Sequence, residues 1–284
     1  MQPWQNLSHI PVDRITDARL QLHWAAQIIA SVGYSFIAPE KDWSHVSLSS
    51  HVSDEDYLLV SQPIVSAGGI RLGLRLANLS LVLLNDAFET RHTFALTGHR
   101  LEKGYEWLEQ VVKAYLPADT DGRIKRTDHE LPAHPVGASG LFDSADTAAF
   151  QLLAAWYANA EQVLQNFRGS HAGASPVRCW PHHFDLASLL AFDPDSDPEE
   201  GRSLGVGFIP GDSGYEEPYI YVTPWPYPEN PTLTELPAGH WHQEGWFGAV
   251  LVFSEITAAE EQEGKVLAFT RTAIQSSKQF LGAR

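Results

Sequence analysis

The stretch Trp180-Pro181-His182-His183-Phe184-Asp185-Leu186-Ala187 sets two imidazoles and a carboxylate between aromatic rings, just after the only cysteine, Cys179. Its first residues have an echo upstream. When the two halves of the chain are aligned, Trp43-Ser44-His45 falls where Trp180-Pro181-His182 falls, and Leu20-Gln21 falls where Phe150-Gln151 falls. Each half then reads helix, strand, strand, strand, strand, helix, and such local agreement supports a duplication. Short links between the strands favour antiparallel pairing, because a parallel neighbour needs a crossover. The expected fold is α+β: internally duplicated helix-strand-strand-strand-strand-helix units, mainly antiparallel sheet, with pseudo-twofold symmetry.

Outward from that stretch, periodicity places the elements. Thr16 or Asp17 caps a helix from Ala18 that carries Leu20, Trp24, Gln27 and Ile28, and Gly33 and Pro39 stop it. Alternation through 43–51 predicts a strand. Ile70, Leu72, Leu74 and Leu76 alternate with Arg71 and Arg75, and Ala77-Asn78 is the tip of a hairpin that returns through 79–84. A short strand at 93–97 leads into a helix over 101–116, with Tyr105, Leu108, Val111, Val112 and Tyr115 on one stripe, ended by Pro117. Residues 118–140 are rich in Pro, Gly, Asp and His and show no periodicity, so they are expected to be a linker with His129 and His134 exposed. The repeats are therefore 1–117 and 141–284, expected to pack as one globular unit. The second holds a helix over 147–168, strands over 177–184, 203–209, 218–223 and 246–253, and a final helix over 257–281.

Several short motifs stand in order along nearly the whole chain. They are Trp4, Leu22-His23-Trp24 with Gln27, Trp43-Ser44-His45-Val46, Phe184-Asp185-Leu186-Ala187, Gly207-Phe208-Ile209-Pro210-Gly211 and Tyr219-Ile220-Tyr221. Together they resemble an uncharacterised bacterial family of domain-of-unknown-function proteins. The resemblance implies a shared fold and no activity, and it assigns no role to His182 or His183.

Bulk composition narrows the function classes. With 284 residues and 44% hydrophobic content, the chain buries about 75% of its unfolded surface without help from a disulfide or metal. A net charge of -16 argues against nucleic-acid backbones and anionic membranes as partners. One cysteine forms no internal disulfide, the first residues lack the basic start and apolar run expected of a signal peptide, and no apolar run approaches a membrane span of about 20 residues. A cytoplasmic protein with no nucleic-acid and no membrane partner is expected. The acidic run from Asp193 lacks the glycine and terminal glutamate of a calcium loop and reads as solvated.

Candidate chemistry gathers in the second half. On a strand, His240 and His242 point to one face with their Cα atoms about 7 Å apart, so both can reach one divalent metal, with Glu244 continuing the line. His182 or His183 would add a third ligand and leave a position open for water, as in a catalytic zinc site; iron or manganese would also suit. The competing reading makes these ordinary hydrogen-bonded or exposed histidines. His183 is the candidate proton-transfer group and Asp185 the carboxylate that fixes its tautomer. Cys179 lies about 13 Å from His183 along an extended strand, too far for proton transfer, and is expected to be a small buried residue. Trp225 and Trp241 are candidate walls of a pocket for a small apolar or sugar-like molecule, with His182 and Glu244 as polar contacts. The aromatic set around them, including Tyr215, Tyr219 and Tyr221, otherwise belongs in a core between sheet and helices. Two functions are expected to compete: a small-molecule pocket protein, metal-assisted or not, and a non-catalytic structural or interaction module.

Overall fold

Leu22, Ala25, Ala26, Ile28, Ile29 and Val32 recur at helical spacing, and all are fully buried. They lie on α1 (Val12–Phe36), which runs straight through Gly33. The structure, a computed structural model, describes residues 3–52, 57–193, 196 and 200–283. After α1 come strands β1 (Ser49–Val52), β2 (Tyr57–Val60), β3 (Arg71–Arg75), β4 (Ser80–Leu84) and β5 (Thr90–Ala95), then α2 (Leu101–Lys113). The second half holds α3 (Thr147–Ser170), β6 (Arg178–Trp180), β7 (Asp185–Ala191), β8 (Ser203–Ile209), β9 (Tyr219–Trp225), β10 (His240–His242), β11 (Gly248–Val252), α4 (Phe253–Thr257) and α5 (Gln262–Phe280). Among the described residues the strands make two antiparallel sheets, of five and six strands, so the fold is α+β with mainly antiparallel sheet. No described helix is long and apolar enough to cross a membrane. Part of the acidic run, 194–195 and 197–199, lies outside the described residues; Asp193 pairs with Arg202 at 2.8 Å.

Contacts divide the chain into two compact units. The N-terminal unit holds 13–154 and 178–184; the C-terminal unit holds 1–12, 155–177 and 185–284.

In the N-terminal unit the sheet order is β1-β2-β3-β4-β5. Strands β2 and β4 are buried at every position, so both faces of the sheet are packed along them, whereas the edge strand β5 is largely exposed. Leu58, Val60, Val82 and Leu84 form a cluster on one side, with Phe88 against it. Gly73 leaves room there, since a Cβ would stand 2.8 Å from a Val82 methyl. The expected strand over 43–51 is corrected. Residues Ser44–Val46 form a 3-10 turn entered by Trp43 in the left-handed region, and β1 starts only at Ser49. The expected equivalence with 180–182 is not reproduced locally. Instead the two stretches run side by side, through reciprocal backbone bonds of 2.9 and 2.8 Å between Leu48 and buried Cys179.

Residues 118–134 carry no regular element, yet they are strapped to α1. Lys125 N–H donates to Ser35 Oγ, Thr127 Oγ1 to Gln27 Oε1, and the Trp24 indole N–H to the Pro132 carbonyl. His134 Nδ1 accepts from the Val136 N–H, so its Nε2 donates to Asp17 Oδ1 at 3.2 Å. The expected exposure of His134 is therefore corrected: its side chain is 9% exposed. His129 is half-buried.

In the C-terminal unit the strands run β10-β11-β9-β8-β7, with Leu186 opposite Phe208, Phe208 opposite Ile220 and Ile220 opposite Leu251. This register puts Leu204, Val206, Phe208, Ile220, Val222 and Leu251 on one buried face. Helices α3 and α5 cover it; Trp156 of α3 lies 5.4 Å from Phe208. The other face carries Asp185, Gly207, Tyr219, Tyr221, Thr223, His240 and His242.

Gly33 shows why α1 does not stop where the glycine suggests. A Cβ there would lie 2.3 Å from the His45 carbonyl oxygen and 2.7 Å from the Val46 Cα, so the glycine serves close approach and not termination. Gly33→Ala is expected to destabilise the protein by about 1–3 kcal/mol through overpacking. Gly169→Ala, where a Cβ meets nothing within 4 Å, is expected to raise stability slightly. Urea denaturation midpoints of the two variants check both signs.

Candidate functional site

Two clusters hold the predicted chemistry, one in each unit. His182 and His183 belong to the N-terminal unit, and Asp185, Trp225, Trp241, His240, His242 and Glu244 to the C-terminal unit.

The C-terminal cluster starts from a turn. Gly211 sits at φ 106, where a Cβ would stand 2.5 Å from the Glu216 carbonyl, so only glycine fits comfortably. Asp212 follows. Its Oδ1 accepts from the backbone N–H groups of Gly214 and Tyr215 at 2.7 and 2.8 Å, and its Oδ2 accepts from the Tyr219 hydroxyl at 2.7 Å. One carboxylate thus shapes the turn and fixes two rings, with Tyr215 lying 4.8 Å from Tyr219. The Tyr215 hydroxyl reaches β10, where His240 and His242 point to one face as the two-residue spacing requires. It meets His240 Nε2 at 2.9 Å and His242 Nδ1 at 2.8 Å.

The donors in this triad follow from its end. His242 Nε2 lies 2.7 Å from the Glu244 carbonyl, which can only accept, so Nε2 carries the proton. In the tautomer with its proton on Nε2, Nδ1 accepts and Tyr215 donates to it. The hydroxyl proton being used, His240 Nε2 must donate to the Tyr215 oxygen. Trp246 stacks on His242 at 4.4 Å, and Gly248 makes room, since a Cβ there would lie 2.6 Å from the Trp246 ring.

Beside this triad, the Tyr221 hydroxyl donates to Asp185 Oδ2 at 2.6 Å, its ring lying over Gly207. Burial first, and then Asp185, push Tyr221 well above its ordinary value. Burial and Asp212 raise Tyr219. Burial, Asp212 and Glu244 raise Tyr215. All three hydroxyls therefore keep their protons at neutral pH and act as donors.

The expected walls differ in use. Trp241 alternates to the opposite face of β10, where it stacks on Phe247 at 5.5 Å, meets Phe280 edge-on and donates to the Thr234 carbonyl. It fastens the Pro-rich loop and does not wall the imidazole pair. Trp225 is 40% exposed and packs edge-on against Tyr227. Glu244 acts on His242 through its backbone carbonyl. Among the described residues, no group of three or more His, Cys, Asp or Glu side chains is arranged to hold a metal ion.

The N-terminal cluster is built on a turn that the expected strand over 177–184 does not contain. After β6 the chain folds back: Phe184, at φ 57, donates its N–H to the Trp180 carbonyl at 2.7 Å. The turn aims the Pro181 carbonyl at α1, where it accepts from His23 Nε2 at 2.8 Å and Gln27 Nε2 at 2.7 Å. His23 also stacks on Phe184 at 5.2 Å. Burial, ahead of all other causes, pushes His23 down to about 4, so it stays neutral and donates. At the turn's outer edge the His182 ring lies 4.2 Å from His183 and 5.4 Å from His129 of the strap, and His129 Nε2 bonds to the Tyr34 hydroxyl at 3.1 Å. Partial burial, followed by the His183 and His129 imidazoles, lowers His182 to about 4.

Asp212 in one unit, and His23, Gln27, Tyr34 and His129 in the other, are members that sequence reading left out of the site; Tyr215 and Tyr221 stood there only in the aromatic set around the expected walls. His23 and Gln27 did stand among the motifs that carried the family resemblance, without a role there.

His23 generates a pH prediction. Its folded value lies below the unfolded 6.5, so its contribution to stability is complete above pH 6.5 and is lost as pH falls toward 4. The His23→Gln variant, which keeps an N–H donor but does not titrate, is expected to lose roughly 2 kcal/mol less than the parent between pH 7 and pH 5. Chemical denaturation at the two pH values measures the difference.

Comparison with curated proteins and with solved structures returns no match. A family model spans residues 7–281, which is nearly all of both units and every cluster above. The chain belongs to that family, a family of unknown function, DUF5996.

Proposed function

We propose that this protein binds a small, hydroxyl-rich (sugar-like) molecule on the face of the C-terminal sheet that carries Tyr215, His240 and His242, and that it works in the cytoplasm without nucleic-acid or membrane partners. One observation carries the reading. A hydroxyl and two imidazoles form a chain whose donor directions are all fixed, on a face with exposed His240 at its edge and Trp246 stacked alongside. With its Nε2–H given to Tyr215, His240 leaves its Nδ1 as an acceptor for a ligand hydroxyl, and Trp246 offers an aromatic face for a sugar ring. His240 also gives proton transfer a route, through Tyr215 to His242, should the bound molecule be a substrate.

A metal-assisted version has its own observation: the two ring nitrogens converge on the Tyr215 oxygen, within 2.9 Å of it. A divalent ion there would take the Tyr215 oxygen with them. The raised values of the tyrosines run against the phenolate such a ligand prefers, so hydrogen bonding is the stronger reading. The interaction-module alternative draws on the exposed Trp225–Tyr227 pair, which a partner would cover.

Saturation-transfer NMR with a panel of monosaccharides and inositols tests the proposal. At least one is expected to receive saturation from the protein and to lose it in His240→Ala and Tyr215→Phe, while the melting temperature changes little. A panel with no binder, or binding untouched in both variants, overturns it. Elemental analysis of untagged protein separates the metal version: stoichiometric zinc, iron or manganese lost in His240→Ala would replace the hydrogen-bonding reading.

A further inference from the structure

The opposite face of the same sheet carries a second candidate site. Helices α3 and α5 leave a cavity of about 480 Å³ between their C-terminal halves, within the range of roughly 300–1,000 Å³ typical of small-molecule sites. Its apolar lining comes from Val163 and Phe167 of α3, Leu267 and Ile274 of α5, and Val206 of β8 beneath them. Two charged side chains line it, Arg271 and Lys278, and both are cations. Among the described residues no aspartate or glutamate does, in a chain with 35 acidic residues against 19 basic ones. Among the described residues neither cation has an ion-pair partner.

Cations near helix C-termini ordinarily answer the helix dipole, and Lys278 in the last turn of α5 does so. Arg271 stands in the middle of α5, two turns earlier, where the dipole gives it no partner. It borders the same apolar lining as Lys278. A slot whose described lining is largely apolar, with two cations and no aspartate or glutamate, is complementary to a molecule with a hydrocarbon body and one negative end.

We propose that this cavity binds a medium-chain carboxylate. Its hydrocarbon lies against Val163, Phe167, Val206 and Ile274, and its carboxylate lies between Arg271 and Lys278. The site is separate from the Tyr215 network, and its occupation does not depend on that reading.

Isothermal titration with octanoate and with octanol, two probes of equal chain length, tests the charge and the pocket together. Octanoate is expected to bind at one site per chain and more tightly than octanol. The Arg271→Gln/Lys278→Gln variant, both at the protein surface, is expected to weaken octanoate by about tenfold and leave octanol unchanged, since two partly solvated ion pairs supply that much. Raised salt is expected to weaken octanoate in the parent only. Filling the cavity with Ile274→Trp is expected to abolish binding of both probes. His240→Ala is expected to change neither, which keeps this result apart from that of the sugar panel. Equal affinity for the two probes, octanoate binding that survives the double substitution in a protein with the parent's melting temperature, no binding at all, or loss of binding in His240→Ala each overturns the proposal.

Discussion

The C-terminal unit is governed by a period of two. Along β8 and β9, Leu204, Val206, Phe208, Ile220 and Val222 enter the buried face at every second position, and the residues between them are Gly205, Gly207 and Tyr221. Once α3 and α5 occupy the apolar face, whatever chemistry the strands carry must appear on the other. The glycines are part of that constraint. Gly207 and Gly248 carry no side chain, so the rings of Tyr221 and Trp246 occupy the space a Cβ would take there. Slipping one strand by a single residue would drive tyrosine hydroxyls into the helix-covered layer and strip the polar network at once. The register that buries the core is the same register that assembles the site.

The N-terminal unit obeys a different demand: a buried carbonyl needs donors. Pro181 has no N–H, and the turn after it points its oxygen into α1, away from water. His23 and Gln27, one helical turn apart, both answer it. Gln27 is then fully engaged, since its amide also donates to the His23 carbonyl and its oxygen accepts from Thr127 of the strap. A single α1 side chain thus joins the 178–184 turn to the 118–134 strap. That arrangement explains why residues without periodicity lie in order along α1, and why His129 arrives beside His182.

Legibility in the sequence tracked how local each cause was. Strand β8 and helix α2 were readable at nearly their true bounds, because alternation and an amphipathic stripe are local patterns. The His240–His242 pair was readable as a same-face strand pair for the same reason. Strand β2 was not: Tyr57-Leu58-Leu59-Val60 is buried on both sides and has no alternation to read. The stretch from Trp43 failed in the opposite way, since its alternation is satisfied by a 3-10 turn. Among the described residues the expected duplication meets five strands in one half and six in the other, and the stretches at 43–45 and 180–182 are built differently. The strap and the role of Tyr215 were beyond reach because both depend on partners distant in sequence, about 100 residues for Thr127 and Gln27 and 25 for Tyr215 and His240.

The direction of the Tyr215 network rests on one atom that sequence reading gave a different part. Glu244 was expected to contribute its carboxylate, yet it contributes a backbone carbonyl, a group that accepts at every pH and cannot titrate. Had a carboxylate taken that place, protonation would have allowed it to donate, and the His242 tautomer could have reversed. With a carbonyl there, the tautomer of His242 fixes the hydroxyl rotor of Tyr215, and the rotor fixes His240. Because Gly245, at φ 81, turns the chain directly after Glu244, the carbonyl is held by backbone geometry and not by a side-chain rotamer. A polarity set by main chain costs no side-chain entropy to maintain, and it leaves the exposed His240 as the one member of the triad free to respond to what binds.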